Sequence, residues 1–346
     1  MAKITISVDA MGGDYGPKIT IPAALSLLAK HPNVELILVG NQEILDTTIA
    51  SYADSTLKNR IRVQHASEEV LMDELPAKAL RTKKDSSMRV AINLVKEGIA
   101  QACVSAGNTG ALVATARFVL KTLPGIDRPA ITTYFPTMVP NKNTNILDLG
   151  ANINSSADYL CQLAAVGTVM SKVINDILAP KVALLNIGSE EIKGNEQIKL
   201  ASHMLTKNKN VNYVGFIEGD ELFRGNVDVV VCDGFVGNIV LKTIEGALKL
   251  VTFYAKRNML RNIFTKLTAL LAFPMLKKLQ KDLDPGKYNG AALIGLRGIV
   301  IKSHGSANVA AFVCALENAI IEVEKNVPQK IHDELTKILQ EQGTTI

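Results

Sequence analysis

The sequence has no tryptophan, and aromatic residues make up only 5% of its 346 positions. A core without large rings must rest on Ile, Val, Leu and Ala, the composition of strands covered by helices on both faces. The four cysteines, Cys103, Cys161, Cys232 and Cys314, form no C-x-x-C or C-x-x-H pair, which argues against a zinc site and against a redox motif. Cys103 and Cys232 lie in apolar strand-like runs and are expected to be buried. No apolar run approaches the length of a membrane span, and a strand-like run begins already at Lys3. That leaves no space for a secretory leader and points to the cytosol. A dense Lys/Arg block interleaved with aromatics is missing as well, and the net charge is a mild +5, so nucleic acid is not expected as a partner. Such a surface suits an anionic small molecule, an acidic protein or an anionic lipid surface.

Signature motifs are equally scarce. There is no G-x-x-x-x-G-K-[ST], and Gly12-Gly13-x-x-Gly16 is not the G-x-G-x-x-G of dinucleotide sites. No G-x-S-x-G elbow marks a nucleophilic serine.

What is present is alternation. Short β-branched runs at Ile4–Val8, Val34–Val39, Ile61–Gln64, Ala102–Val104, Ala130–Phe135, Asn145–Leu149, Val182–Ile187, Val211–Ile217, Val227–Cys232 and Ile299–Lys302 predict strands. Amphipathic stretches between most of them, at Ile21–Lys30, Met88–Glu97, Ala111–Leu120, Ala157–Ile174, Glu196–Leu205 and Ile239–Lys256, predict helices, and Val309–Glu324 follows as another. Strand and helix in turn imply βαβ units, a mostly parallel sheet and an α/β/α sandwich. No Pro/Gly/Ser linker divides the chain, so residues 1–346 read as a single α/β domain.

Glycine and asparagine cluster just after the strands and just before the helices. The segments are Asp9–Pro17, Ser105–Leu112, Leu147–Asn152, Asn186–Asn195 and Asp233–Asn238. α/β enzymes bind ligands at that edge of a sheet. Glycine lets backbone approach a ligand closely, and a helix start offers free N–H groups to a phosphate-type anion. Any one such turn is ordinary helix capping; five in one chain point to a shared polar pocket. Of the five histidines, only His304, in Ser303–Asn308 between a strand and a helix, has a suggestive setting, where a structural role is as good a reading as a ligand role.

In combination, Asp9–Pro17, Ser105–Leu112, Leu147–Asn152, Asn186–Asn195, Asp228–Lys242 and Val300–Ser306 resemble the PlsX-type acyl-carrier-protein:phosphate acyltransferases, in matching order over nearly the whole chain. One departure is Tyr288-Asn289-Gly290-Ala291, where that family has Tyr-Gly-Gly-Ala; asparagine tolerates left-handed backbone, so the turn is expected to survive. The resemblance implies a Rossmann-like α/β/α fold, a homodimer, and transfer of a long-chain acyl group from an acyl carrier protein thioester to inorganic phosphate. The acyl phosphate would feed glycerol-3-phosphate acylation in bacterial phospholipid synthesis. It implies no metal and no other cofactor.

Matching motif positions put Lys193 beside the phosphate as a compact charge and make Asn238 a side-chain donor to phosphate or oxyanion. Asn108, Thr109 and Gly110 would form an anion-binding helix start, with Asn152 and His304 as further candidates. Direct attack needs little covalent help, because phosphate carries unprotonated oxygens at neutral pH and the leaving thiol, with a pKa of about 8.5, departs readily. A short-chain phosphotransacetylase, a nicotinamide dehydrogenase of related fold and a non-catalytic scaffold that docks carrier protein at the membrane remain as alternatives.

Residues 256–283 stand apart, with Leu267, Leu270, Leu271 and Phe273 among apolar residues at helical spacing and Lys256, Arg257, Arg261 and Lys266 among the cations. Pro274 divides the stretch into a projecting helical hairpin. It is expected to pack on the core or a dimer mate, or to touch lipid at its tip, as peripheral membrane contact on the inner face of the cell membrane would require. The acidic carrier protein and the downstream glycerol-3-phosphate acyltransferase are further partners implied for such a surface.

Overall fold

In the computed structural model, residues 3–52, 55–259 and 289–341 are described, with 261–262, 264–265, 271–275, 278 and 286. The elements run β1 Ile4–Asp9, α1 Pro17–Lys30, β2 Val34–Gly40, α2 Gln42–Ala50, α3 Ser55–Lys58, β3 Ile61–His65, α4 Pro76–Thr82, α5 Ser87–Lys96, β4 Ala102–Ser105 and α6 Thr109–Leu120. They continue as β5 Ala130–Pro136, β6 Asn143–Leu147, α7 Ala157–Asn175, β7 Lys181–Leu185, α8 Glu196–Lys207, β8 Asn212–Ile217, β9 Val229–Val231 and α9 Gly234–Met259. The chain closes with β10 Ala291–Ile294, β11 Ile299–Lys302, α10 Val309–Glu324 and α11 Val327–Glu341.

All eleven strands form one sheet, in the order β3-β2-β1-β4-β11-β10-β5-β6-β9-β7-β8. The α/β, mostly parallel expectation holds, with one exception at the centre. β10 pairs antiparallel with both β11 and β5, and β5 pairs antiparallel with β6. Two of these three reversals are hairpins, with Gly295, at φ 82, turning the chain between β10 and β11 and Asn141, at φ 58, turning it between β5 and β6, while β10 and β5 meet from distant parts of the chain. Two parallel blocks therefore face each other across the middle and run in opposite senses.

Alternation along each strand divides the core. In β9, Val229 and Val231 join one buried cluster, with α1, α7 and α10, while Val230 joins the other, with α5 and α6. Cys103 and Cys232 are buried, as expected, and all four cysteines are free.

Several boundaries moved for visible reasons. β6 ends at Leu147 rather than Leu149, because Asp148 takes left-handed backbone at φ 62 and leaves the ladder. α1 begins a turn before Ile21, with Pro17 in its first turn, and runs on through Pro22. β10, in a run of alanines, was not expected from its composition. Asn289 needs no left-handed backbone, which Gly290 supplies at φ 104. Its side chain instead donates to Ser303 Oγ and to the Ala311 carbonyl, both at 2.8 Å, and accepts from the His304 N–H at 2.8 Å. Of the projecting stretch, Leu267 and Leu270 lie outside the described residues, while Leu271 and Phe273 are exposed. Among the described residues no helix is long and apolar enough to cross a membrane.

One core group gives the fold a pH dependence. Glu322, on α10, is buried, and burial pushes its pKa up to about 8. A raised carboxyl is protonated in the fold while already ionised in the unfolded chain. Its contribution is fully present below pH 4.5 and is lost as pH rises through about 8. Glu322→Gln is therefore expected to gain stability over the wild type between these limits, by on the order of a few kcal/mol. Melting curves at pH 5, 6.5 and 8 check this; a constant offset between the two proteins would remove Glu322 from the account.

Candidate active site

The loop after β6 is organised by one buried carboxylate. Asp148 accepts from the N–H groups of Gly150 at 3.2 Å, Ala151 at 2.7 Å and Asn152 at 3.1 Å, and from Asn152 Nδ2 at 2.8 Å. Burial raises its pKa, and these hydrogen bonds oppose the rise. Asn152 Nδ2 also lies 2.9 Å from the Pro129 carbonyl and 2.8 Å from the Tyr159 hydroxyl, so this amide is engaged inside the loop.

The start of α9 lies flush against that loop. Gly234 donates to the Asn152 carbonyl at 2.8 Å, and Asp233 Oδ1 caps the helix through the Val236 N–H at 3.0 Å. A Cβ on Gly237 would stand 2.0 Å from the Asp148 carbonyl oxygen. This close approach brings the exposed Asn238 side chain over Gly150, whose φ is 123, with a Cβ on that glycine only 3.3 Å from Asn238 Cβ.

The loop after β7 carries Lys193. Asn186 Nδ2 donates to the Lys193 carbonyl at 3.3 Å, Lys193 N donates to the Glu190 carbonyl at 3.0 Å, and Asn195 caps α8 through the Ile198 N–H at 2.9 Å. The Lys193 side chain is exposed. A groove of about 820 Å³ opens between these loops, lined by Asn195 and Ile198 from the α8 start, Phe235 and Val236 from the α9 start, and Arg128 with Ser155 from the opposite wall.

The other block contributes the loops after β1, β4 and β11. Asp9 is buried, which raises its pKa against hydrogen bonds from Ser87 and Ser105; Ser105 Oγ lies 2.7 Å from its Oδ2. Lys302 is buried too. Its Nζ donates to the Ala106 carbonyl at 3.2 Å and to that of Ser303, and burial lowers its pKa to about 8. Asn108 caps α6 through Oδ1 and the Ala111 N–H at 3.0 Å, while its Nδ2 donates to the carbonyls of Met72 at 2.8 Å and Glu74 at 3.0 Å. The side chain of Asn108 thus ties two loops, and Thr109 and Gly110 are the first residues of the helix it caps.

α9 links the blocks. Its 26 residues make a rod of about 39 Å. One turn past Asn238, Lys242 Nζ lies 3.5 Å from His304 Nε2 and 3.0 Å from Glu245 Oε2. Glu245 Oε1 is 3.8 Å from the same ring nitrogen. On its other side, His304 Nδ1 accepts from the Ser306 N–H at 3.2 Å, which leaves the ring proton of the neutral form on Nε2. Burial lowers the His304 pKa, with Glu245 opposing and Lys242 reinforcing.

The fold therefore brings Asn238 and Asn152 to one loop pair and couples His304 to it through α9. Lys193 stands on a separate loop that frames the same groove. Asp148, Lys242 and Lys302 lie inside the motif segments but had no distinctive spacing to mark them. Arg128 and Glu245 lie outside those segments. Among the described residues, no group of three or more His, Cys, Asp or Glu could hold a metal ion. What the arrangement offers is exposed amide and ammonium donors, capped helix starts and a groove, which suits positioning an anion.

Comparison with known proteins agrees with that chemistry. The family model described as "Fatty acid synthesis protein" matches residues 4–330. A phosphate acyltransferase of Coxiella burnetii (strain Dugway 5J108-111) is 56% identical over 337 residues, covering 97% of this chain and 98% of that protein. One from Legionella pneumophila (strain Paris) is 52% identical over 341 residues, covering 99% of each. Among solved structures, a phosphotransacetylase from Streptococcus pyogenes superposes with a TM-score of 0.61 at 19% identity, covering 94% of each chain. The EutD phosphotransacetylase from Staphylococcus aureus superposes at 0.58 and 16%, also covering 94% of each. At those identities the likeness extends to the fold.

Proposed function

We propose a specific reaction for this chain, which belongs to the fatty acid synthesis protein family and is an acyltransferase of the PlsX type: a long-chain acyl group passes from an acyl carrier protein thioester directly to inorganic phosphate. A phosphate oxygen attacks the thioester carbonyl, the tetrahedral oxyanion collapses, the C–S bond breaks, and the thiolate takes a proton from water. The products are acyl phosphate and free carrier thiol, and the acyl phosphate would serve glycerol-3-phosphate acylation in phospholipid synthesis.

The observation that carries this reading is that the groove is bordered by guanidinium and amide donors and capped helix starts, and that none of the four cysteines is among its lining residues. Lys193 and Asn238 are exposed on the loop before α8 and the first turn of α9, the two segments that line the groove through Asn195 and through Phe235 and Val236. Three of the four cysteine thiols are held towards the neutral form: burial pushes Cys103 and Cys232 up, and Cys161 up to about 11. Lys193 neutralises the incoming phosphate, Asn238 donates to phosphate or to the developing oxyanion, and the starts of α6 and α9 present N–H groups. Asn152 acts by holding the Asp148 loop under Asn238. His304, as a neutral Nε2–H donor next to Lys242, closes the site from the other block.

Contact with a partner or with lipid is supported by apolar exposure along the distal part of α9 and beyond. Leu250, Val251, Phe253 and Tyr254 are 50–58% exposed, and Phe264, Leu271, Phe273 and Met275 are 58–78% exposed. We assign this face to a homodimer mate at its base and to peripheral contact with the inner face of the membrane at its tip, where the carrier protein and the glycerol-3-phosphate acyltransferase would also be met.

The test is purified protein with palmitoyl-acyl carrier protein and phosphate, following free thiol and acyl phosphate. Phosphate-dependent formation of both in equal amounts is expected. Activity on acetyl-CoA with none on the carrier thioester would instead favour a short-chain phosphotransacetylase, and activity on neither would favour a scaffold.

A further inference from the structure

We infer that Arg128 and Ser155 form a subsite for the phosphodiester of the pantetheine arm that presents the thioester. This rests on the proposed use of a carrier-protein donor.

Arg128 enters the groove from the segment before β5. Its guanidinium lies 5.3 Å over the Tyr159 ring, and Nη1 reaches the Asn154 carbonyl at only 3.4 Å, which leaves most of its fork undirected. Among the described residues it makes no ion pair. The ring beneath it is itself fixed, being fully buried with its hydroxyl on Asn152, so the cation is held in place by the β6 loop that lies under Asn238. A planar guanidinium parked on a ring with free N–H groups suits a phosphate oxygen pair.

The second observation is Ser155. The residue lines the same groove, and its hydroxyl oxygen is buried just behind that wall with no hydrogen-bond partner. A buried hydroxyl without a partner is costly, and a ligand oxygen at that wall would satisfy it. Ser156, the next residue, caps α7 through the Tyr159 N–H at 3.2 Å, so the partial positive end of a 19-residue helix adds to the same spot. Asp233 also borders the groove, but its carboxylate is turned to the α9 start.

Volume separates the two phosphate sources. A groove of about 820 Å³ far exceeds one inorganic phosphate and has apolar walls in Ile153, Leu160, Ile198 and Phe235. An elongated amide arm with a phosphate at one end and a thioester at the other fits such a channel. Anchored at Arg128, it would run along the α8 and α9 starts, the elements that border Lys193 and carry Asn238.

The experiment is calorimetric binding of phosphopantetheine and of pantetheine, which lacks the phosphate, to the wild type, Arg128→Ala and Arg128→Lys. The wild type is expected to bind phosphopantetheine about tenfold more tightly or better. That preference should vanish in Arg128→Ala and return in part in Arg128→Lys. Because it is a difference between two ligands on one protein, a merely loosened loop would not abolish it. Ser155→Ala is expected to reduce it two- to fivefold. Equal binding of the two ligands by the wild type would overturn the subsite, whatever the enzyme's activity. In kinetics, Arg128→Ala should raise KM for palmitoyl-acyl carrier protein about tenfold and leave KM for phosphate unchanged. A rise confined to KM for phosphate would reassign the site to the inorganic substrate. Absence of any acyl phosphate from the wild type would instead count against the proposed reaction, leaving the binding comparison intact.

Discussion

Asn238→Ala is expected to lower kcat for acyl phosphate formation by on the order of 10²- to 10³-fold, equivalent to ~2.7–4 kcal/mol of barrier. The side chain is exposed over Gly150, so its removal opens no cavity in the core and the melting temperature should hardly move. Lys193→Ala removes an exposed charge from a loop whose backbone is held by Asn186 and Glu190 rather than by the ammonium. Its loss should fall mainly on KM for phosphate, because a point charge binds the anion before and during reaction alike. Steady-state kinetics with phosphate varied at saturating carrier thioester separates the two effects. If Asn238→Ala keeps more than a tenth of wild-type turnover, the residue is not the donor to the oxyanion, and the N–H groups of the helix starts would have to carry that role.

The second large effect is structural. Gly237→Ala puts a methyl group 2.0 Å from the Asp148 carbonyl oxygen and 2.9 Å from Cys232 Sγ. The nearer obstacle is backbone, which cannot swing aside as a side chain could, so the first turn of α9 has to lift from the β6 loop. Overpacking of this kind typically costs 1–3 kcal/mol and occasionally more. Here it also separates Asn238 from Gly150, so activity should be lost even at temperatures where the protein remains folded. Gly246→Ala is the control on the same helix. Its Cβ would meet nothing within 4 Å, and alanine is favoured over glycine in a helix by roughly 0.5–1 kcal/mol. The pair should therefore diverge in both melting temperature and turnover. Equal behaviour would mean that the start of α9 is free to adjust.

The sheet and most of its helices were readable because burial repeats along the chain. β1, β2 and β11 appeared as apolar runs, and α7 and α10 as long amphipathic stretches closed by capping residues. Where a local signal was absent, reading stopped. β10 is too short and too rich in alanine to announce itself, and it becomes a strand only because β11 and β5 flank it. Asn108 and Asn152 read as donors to a ligand, since a Gly-Asn turn looks the same whether its amide faces outward or inward. In the structure those amides meet the Met72 and Glu74 carbonyls, and Asp148, Pro129 and Tyr159. Arg128 carried no signal at all, because its setting depends on a tyrosine 31 positions later.

The sequence by itself determined the α/β class, the family and the loops from which the proposed site is built, because hydrophobic period and glycine placement are local properties of the chain. Tertiary structure alone decided the opposed sense of the two blocks, the reach of α9 from Asn238 to His304 and which amides stay free. Strand pairing and hydrogen bonds join residues far apart in the chain, as Lys242 meets His304 across 62 positions, and no local pattern records where such partners come to rest.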